Sequence, residues 1–155
     1  MALPRKTILD AIYATVAGIT TANGYTYSVR TIQIGQDIIP QRWLTTDYPL
    51  VVIDPLRDES VEETFGGGTA NKLFRKWPIH ITGVIQPTGD VREEGEKFLS
   101  DLVKALVVLK FVSSINTRPV IDELLGPDNF ERSENKIAVV GVNLGIYYHF
   151  TPGGL

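Results

Sequence analysis

The sequence predicts an α+β fold in which two main helices pack on one face of a β-sheet and a long polar ribbon protrudes from it. Three patterns predict this fold: a long alternating strand at residues 136–151, apolar residues at helical spacing near residues 8–19 and 98–109, and a glycine-rich polar stretch at residues 57–76 between strand-like segments. Each element follows from a local pattern.

The stretch KIAVVGVNLGIYYHFT at residues 136–151 is the longest strand-like run in the chain. Every second residue of this run is apolar, which would place these side chains on one face of a strand. The residues on that phase are Ala138, Val140, Val142, Leu144, Ile146, Tyr148 and Phe150. Sixteen residues of strand span about 50 Å, whereas a domain of this length has a radius of gyration of about 15 Å. The strand must therefore bend or project, and we expect Gly141 and Gly145 to mark a bend or a close approach.

Two segments have the spacing of amphipathic helices. The first begins near Pro4, and Asn23-Gly24 is expected to end it because both residues tolerate the left-handed conformation; its stripe is Ile8, Ile12, Val16 and Ile19. The second begins at Asp90, which with Glu93 resembles a capping box. Its buried stripe is Phe98, Leu102, Ala105, Leu106 and Leu109, and the residues expected to face water are Glu94, Lys97, Asp101 and Lys104.

Shorter strands are predicted between these elements. Alternation predicts a strand from Tyr25 to Thr31 and another from Trp77 to Gln86, and the continuous apolar run from Leu50 to Ile53 predicts a buried strand that Pro55 closes. The signal is weak at residues 33–48. Residues 113–135 are predicted to be irregular because of their prolines, glycine and alternating charge.

Residues 57–76, RDESVEETFGGGTANKLFRK, are acidic first, glycine-rich in the middle and basic last. This order suits two polar arms of a ribbon around a mobile tip at residues 66–68, with opposite charges facing one another across the arms. Exposed pairs of this kind contribute only about 0.2 to 1 kcal/mol each. The ribbon has no core of its own, so it is expected to act through contacts with another molecule.

Composition limits the class of protein. The 155 residues suit a single domain spanning 1–155, and 43% hydrophobic with 21% charged residues is ordinary for a globular protein. The apolar start is interrupted by polar residues and is read as a folded helix, not a signal peptide, and no apolar run is long enough to cross a membrane. The absence of cysteine excludes disulfides and thiolate chemistry, and a net charge of −3 gives no electrostatic case for holding a nucleic-acid backbone.

The candidate catalytic and binding motifs have ordinary structural explanations. GGGTANK lacks the glycine before lysine and the hydroxyl after it that a phosphate-binding loop needs, so it is interpreted as a ribbon tip. The only histidines, His80 and His149, have no nucleophile motif or ligand-like cluster near them in sequence. Adjacent acids such as Glu62 and Glu63 point apart on a strand. We therefore expect no enzyme activity, cofactor or metal.

Trp43 and Trp77 each lie beside a basic residue, which would suit an aromatic platform for nucleic-acid bases. Packing in the core or at its rim is the stronger interpretation, because tryptophan buries a large apolar area.

The remaining feature is the large amount of predicted strand in a small chain. Bare strand edges invite association, so the chain is expected to assemble.

The order of elements resembles the tail terminator proteins of long-tailed bacteriophages. The similarity extends over nearly the whole chain: a short helix ending in NGY at 23–25, W…DYPLVVI at 43–53, a polar excursion, WPIHITGVI at 77–85, LSDLVKAL at 99–106 and YYHFTP at 147–152. None of these segments is a catalytic signature.

The resemblance implies a mixed, mostly antiparallel sheet and a hexameric ring of identical subunits in the tail and neck of the virion, assembled in the host cytoplasm. The ring would cap the tail tube protein and join it to the head-neck connector protein, while DNA passes through the lumen without specific binding. By position, the ribbon would contact the tube or the ring through Arg57, Asp58, Glu59, Glu62, Glu63, Phe65, Gly66, Gly67, Gly68, Lys72 and Arg75.

Other classes remain open at this point. The chain could be another neck or head-completion protein, or a cellular adaptor that binds a partner through the ribbon. A small enzyme or ligand-binding domain with a pocket around His80, Asp54 and Tyr148 is a further alternative.

Overall fold

The predicted final strand forms and lies inside the sheet. The computed structural model describes residues 4–35, 47–56, 59–61, 73–109, 118–132 and 135–150. Its elements are helices α1 (Pro4–Ala17) and α2 (Val91–Val107), a 3₁₀ helix (Thr21–Asn23), and strands β1 (Thr31–Ile34), β2 (Leu50–Pro55), β3 (Glu59–Val61), β4 (Leu73–Ile85), β5 (Arg118–Arg132) and β6 (Asn135–Phe150).

The sheet is mixed and mostly antiparallel. Its order is β1-β2-β4-β6-β5, and β3 pairs with β4 beyond the end of β2. β1 and β2 are parallel, and every other pair is antiparallel. β6 pairs with β4 on one side and with β5 on the other. The fold is therefore the α+β arrangement that the sequence predicts.

Both helices pack on the same face of the sheet. The apolar stripes of α1 and α2 join one phase of the strands in a single core, in which Phe98 and Leu102 are fully buried. An added Cβ on Gly83 would lie 2.5 Å from Phe98 Cε2, so the Phe98 ring rests directly on the backbone of β4. The strand residues of this core are Val51, Ile53, Trp77, Ile79, Ile81, Ile85, Ala138, Val140, Val142, Leu144 and Ile146.

The first helix is shorter than its apolar stripe predicts. α1 ends at Ala17, and Ile19 is fully buried just beyond it. Asn23-Gly24 ends the separate 3₁₀ helix, in which Thr20 is the N-cap and Gly24 has φ +89°. The prediction of a single helix up to Asn23 was therefore wrong, although the left-handed glycine lies where it was expected.

The first strand also begins later than predicted. Tyr25 to Val29 form a connection that packs on the core, and β1 covers only Thr31–Ile34. The N–H groups of Thr26 and Tyr27 donate to the carboxylate of Asp101, so they are not used in a strand ladder. A contact distant in sequence thus overrides the alternating pattern.

The region predicted to be irregular contains the long strand β5. The turn-forming residues Gly126, Pro127 and Asp128 lie at a shift in the register between β5 and β6 and do not end the strand. A second shift occurs between Ile121 and Glu123. The prediction was wrong because glycine and proline signal a β-bulge as well as a loop.

Candidate assembly surface

The structure describes two of the residues predicted to form the ribbon contacts. Glu59 begins β3, and Arg75 lies in β4. The other predicted contact residues lie outside the described residues: Arg57, Asp58, Glu62, Glu63, Phe65, Gly66, Gly67, Gly68 and Lys72.

Strands β3 and β4 lie at the base of the predicted ribbon. β3 and β4 are antiparallel, with Glu59 opposite Lys76 and Ser60 opposite Arg75. On its other side this part of β4 pairs with β6, so the ribbon base is the end of a three-stranded sheet. The Lys76 ammonium lies 2.8 Å from Asp122 Oδ2 on β5, which links β4 to β5 across β6. The base is thereby anchored to the rest of the sheet.

Gly145 allows this ion pair to cross β6. An added Cβ there would lie 2.7 Å from Asp122 Oδ2 and 2.8 Å from Lys76 Cε. The close approach expected at this glycine is confirmed. Gly141 likewise lies under the side chain of Leu125, since an added Cβ on Gly141 would lie 3.3 Å from Leu125 Cβ.

A row of polar residues crosses the sheet on the face opposite the helices. Asp54, His80 and Asn143 are register partners on β2, β4 and β6, and Glu123 on β5 continues the row. Asn143 Nδ2 donates to Glu123 Oε2 at 3.1 Å. Beside this row the same face carries a small apolar cluster of Tyr48, Leu50, Val52, Val84 and Ile137.

The alternative pocket around His80, Asp54 and Tyr148 is not assembled. His80 and Asp54 are neighbours, but Tyr148 lies opposite Arg75, five residues from the partner of His80 and on the other phase of the strand. A cavity of about 380 Å³ lies elsewhere, between the connection that precedes β1 and the start of β2. Its lining is Thr21, Thr26, Tyr27, Ser28, Arg30, Tyr48, Pro49, Ile85 and Gln86.

Asp101 was expected to face water, and this expectation was wrong. Its side chain is buried, with the residue 4% exposed, and accepts hydrogen bonds from the N–H groups of Thr26 at 3.1 Å and Tyr27 at 2.9 Å. One turn later, Lys104 Nζ donates to the carbonyl oxygen of Gly24 at 3.1 Å. One turn earlier, Phe98 meets the Tyr27 ring edge to face, with centroids 5.5 Å apart. We call these three side chains of α2 the clasp, since together they hold residues 24–27.

Burial raises the pKa of Asp101, and hydrogen bonds from Thr26 and the charge of Lys104 oppose that rise in part. Since the folded-state pKa lies above the unfolded one, the contribution of Asp101 to stability is complete below the ordinary aspartate pKa. It is lost as pH rises through the raised pKa.

We therefore expect wild-type stability to fall relative to Asp101→Asn as pH rises from about 4 to 7, because the variant carries no titrating group at this position. Urea unfolding of both proteins across that range measures the difference. The raised pKa would be contradicted if the difference in free energy of unfolding between the two proteins stayed constant with pH, or changed in the opposite direction.

Trp77 is part of the core, as predicted. It is 4% exposed, its Nε1 donates to the carbonyl oxygen of Leu56 at 2.8 Å, and the Arg5 guanidinium lies 5.2 Å from the ring centroid. It is therefore not available as a stacking platform for bases. Trp43 lies outside the described residues.

Two pairs of exposed apolar residues were missed by the sequence analysis. Leu124 and Leu125 are 50% and 42% exposed at the middle of β5, and Val107 and Val108 are 62% and 64% exposed at the end of α2. The sequence signal for the first pair is ELLGPD, in which two leucines stand alone in a polar stretch. The second pair was hidden because it continues the apolar run of its helix.

Within the described residues, no group of three or more histidine, aspartate or glutamate side chains is placed to bind a metal ion. Neither α1 nor α2, the two α-helices in the described ranges, combines the length and apolarity that a bilayer crossing requires. Comparison of the sequence with protein-family models and with curated proteins gave no match.

Proposed function

We propose that this chain is a structural subunit of a long-tailed bacteriophage that forms a ring on the completed tail tube, as tail terminator proteins do. The observation that carries the proposal is the outer strand β5. It has fifteen residues, pairs only with β6 among the strands that the structure describes, and displays two exposed leucines. A long open edge with apolar side chains is a feature that other subunits normally cover.

The ribbon supplies the second part of the proposal. Its three-stranded base, in which Glu59 lies opposite Lys76, suits a rigid mount for the charged stretch at residues 62–72. In this proposal that stretch contacts the tail tube protein and its charges set the register of docking. The opposite side of the ring meets the head-neck connector protein, and the assembled ring is a hexamer within the virion.

Transit of DNA through the lumen is consistent with the net charge of −3, because a ring that does not attract phosphates does not hold the passing duplex. Subunits of this kind would be made and assembled in the host cytoplasm. They need neither a cofactor nor a catalytic residue.

Gel filtration with light scattering, followed by negative-stain microscopy, tests the proposal. The expected result is a closed six-fold ring at micromolar concentration. A monomer at every concentration tested would overturn it and favour a small ligand-binding domain.

Deletion of Phe65 to Ala70 is expected to leave folding and ring formation intact and to block the joining of tails to heads. The reason is that in the sequence these residues lie between the acidic and the basic segment of residues 57–76, where we predict the tip of the ribbon. Complementation of a phage with a disrupted copy of the gene measures infectious yield, which we expect to fall at least about 100-fold. Gly67→Ser is the control because it keeps the length of the stretch, and unchanged yield from the deletion would refute the role of the ribbon.

A further inference from the structure

The cavity of about 380 Å³ between the connection that precedes β1 and the start of β2 has walls that are held by hydrogen bonds. On one wall, Asp101 of the clasp accepts from the N–H groups of residues 26 and 27. The backbone N–H of Arg30 donates to the carbonyl oxygen of Pro49 at 2.9 Å, which joins this wall to β2. Small-molecule sites in proteins are usually formed in advance in this way, and have volumes from about 300 Å³ upward.

The polar part of the lining favours an anion. Thr21, Thr26 and Ser28 contribute hydroxyl groups, and Ser28 Oγ is held in place by the N–H of Thr21, which donates to it at 2.9 Å. Arg30 is exposed, and it is the one charged residue among the described residues that line the cavity. No acid in the described part of the chain forms an ion pair with it. A guanidinium group matches the planar shape of a carboxylate and can donate to both of its oxygens.

The apolar part of the lining comes from Tyr27, Tyr48, Pro49 and Ile85. The Tyr27 ring is held by its edge-to-face contact with Phe98. Its hydroxyl is buried and has no hydrogen-bond partner among the residues that the structure describes. Buried polar atoms nearly always have a partner in a folded protein, so an oxygen atom of a ligand would supply the acceptor that this hydroxyl lacks.

We propose that this cavity binds a small organic anion in which a carboxylate is attached to an aromatic ring. The carboxylate pairs with the Arg30 guanidinium and accepts a hydrogen bond from the Tyr27 hydroxyl, and the aromatic ring packs against Tyr48 and Pro49. This site goes beyond the proposed function, and it does not depend on whether the chain forms a ring.

Isothermal titration calorimetry of the full chain with sodium benzoate tests the proposal. We expect one benzoate per chain with a dissociation constant of about 1 mM, because a fragment of this size makes few contacts. Benzyl alcohol has the same ring without the charge, and inorganic phosphate has charge without the ring. Each is expected to bind at least about ten-fold more weakly than benzoate. The absence of benzoate binding, or equally tight binding of either comparison compound, would overturn the proposal.

Arg30→Gln is expected to weaken benzoate binding at least about ten-fold, because it removes the charged hydrogen-bond donor. The backbone contact of residue 30 with Pro49 does not involve the side chain, so the wall should remain in place. Arg92→Gln is the matched control, since Arg92 is also exposed but lies in the first turn of α2 and does not line the cavity. Equal losses in the two variants would show that benzoate responds only to the overall charge of the chain, and the site would be wrong.

Tyr27→Phe separates a ligand contact from a structural role of the hydroxyl. The variant keeps the ring against Phe98 and removes a group that has no hydrogen-bond partner among the described residues. We therefore expect its free energy of unfolding in urea to equal or exceed that of the wild type, while its affinity for benzoate falls about five-fold. Unchanged affinity, or a loss of stability without a loss of affinity, would overturn the assignment of this hydroxyl to the site.

Discussion

Gly126→Ala is expected to lower the free energy of unfolding by about 3 to 5 kcal/mol, the largest effect of any single methyl group that we predict here. Gly126 has φ +85°, which disfavours any residue with a Cβ. In addition, the new Cβ would lie 2.6 Å from the carbonyl oxygen of Val139 and 3.1 Å from the backbone nitrogen of Asp128. Neither backbone atom can move without disturbing the pairing of β5 with β6.

Gly35→Ala separates the two causes, because Gly35 has nearly the same φ, +83°. Apart from Gly35 itself and its two neighbours in the chain, no atom of the described residues lies within 4 Å of the position of its added Cβ. We expect a cost of about 1 to 2 kcal/mol from the backbone conformation alone. Urea unfolding followed by circular dichroism measures both variants. If Gly126→Ala and Gly35→Ala lowered the free energy of unfolding equally, contact with Val139 would contribute nothing to the cost at Gly126.

Asp101→Ala is expected to lower the free energy of unfolding by about 2 to 3 kcal/mol at pH 7. The variant leaves the N–H groups of Thr26 and Tyr27 without the acceptor that they have in the wild type. Relief of the buried charge offsets part of this loss. Because residues 24–27 lead into β1, hydrogen exchange should show faster opening of that connection than of β4.

Asp10→Ala is the matched control for Asp101→Ala. Asp10 also lies on a helix and accepts a hydrogen bond, from Lys6 at 2.9 Å, but its side chain is 65% exposed. Exposed pairs of this kind contribute at most about 1 kcal/mol. If both variants lose the same stability, the clasp does not hold the connection.

The strands and helices that local pattern predicted best are those with one strongly apolar phase. The apolar phase of β6, from Ala138 to Ile146, is buried as its two-residue period indicates. The stripe of α2 is buried as its helical spacing indicates, and Asp90 caps the helix by accepting from the N–H groups of Arg92 and Glu93. In each case the signal and its structural cause lie within a few residues of one another.

The missed features depend on contacts between residues distant in sequence. Asp101 has the pattern of a surface acid on α2, and only the arrival of Thr26 and Tyr27 beside it makes it a buried acceptor. Gly126 has the pattern of a loop, and only the neighbouring strand β6 makes it a bulge within β5.

Part of the candidate assembly surface could also be predicted from sequence, and part could not. The order of charges at residues 57–76 predicts a ribbon with an acidic arm opposite a basic arm. Within the described residues, β3 pairs with β4 with Glu59 opposite Lys76. The exposure of Leu124, Leu125, Val107 and Val108 could not be predicted, because whether an apolar residue is covered depends on what packs over it. Neighbouring residues in the chain are enough to predict the apolar faces of the strands and helices and the N-cap of α2, because each arises from a local pattern. Strand order, the bulges, the burial of Asp101 and the exposure of the β5 leucines depend on which distant segments meet, so the sequence pattern could not show them.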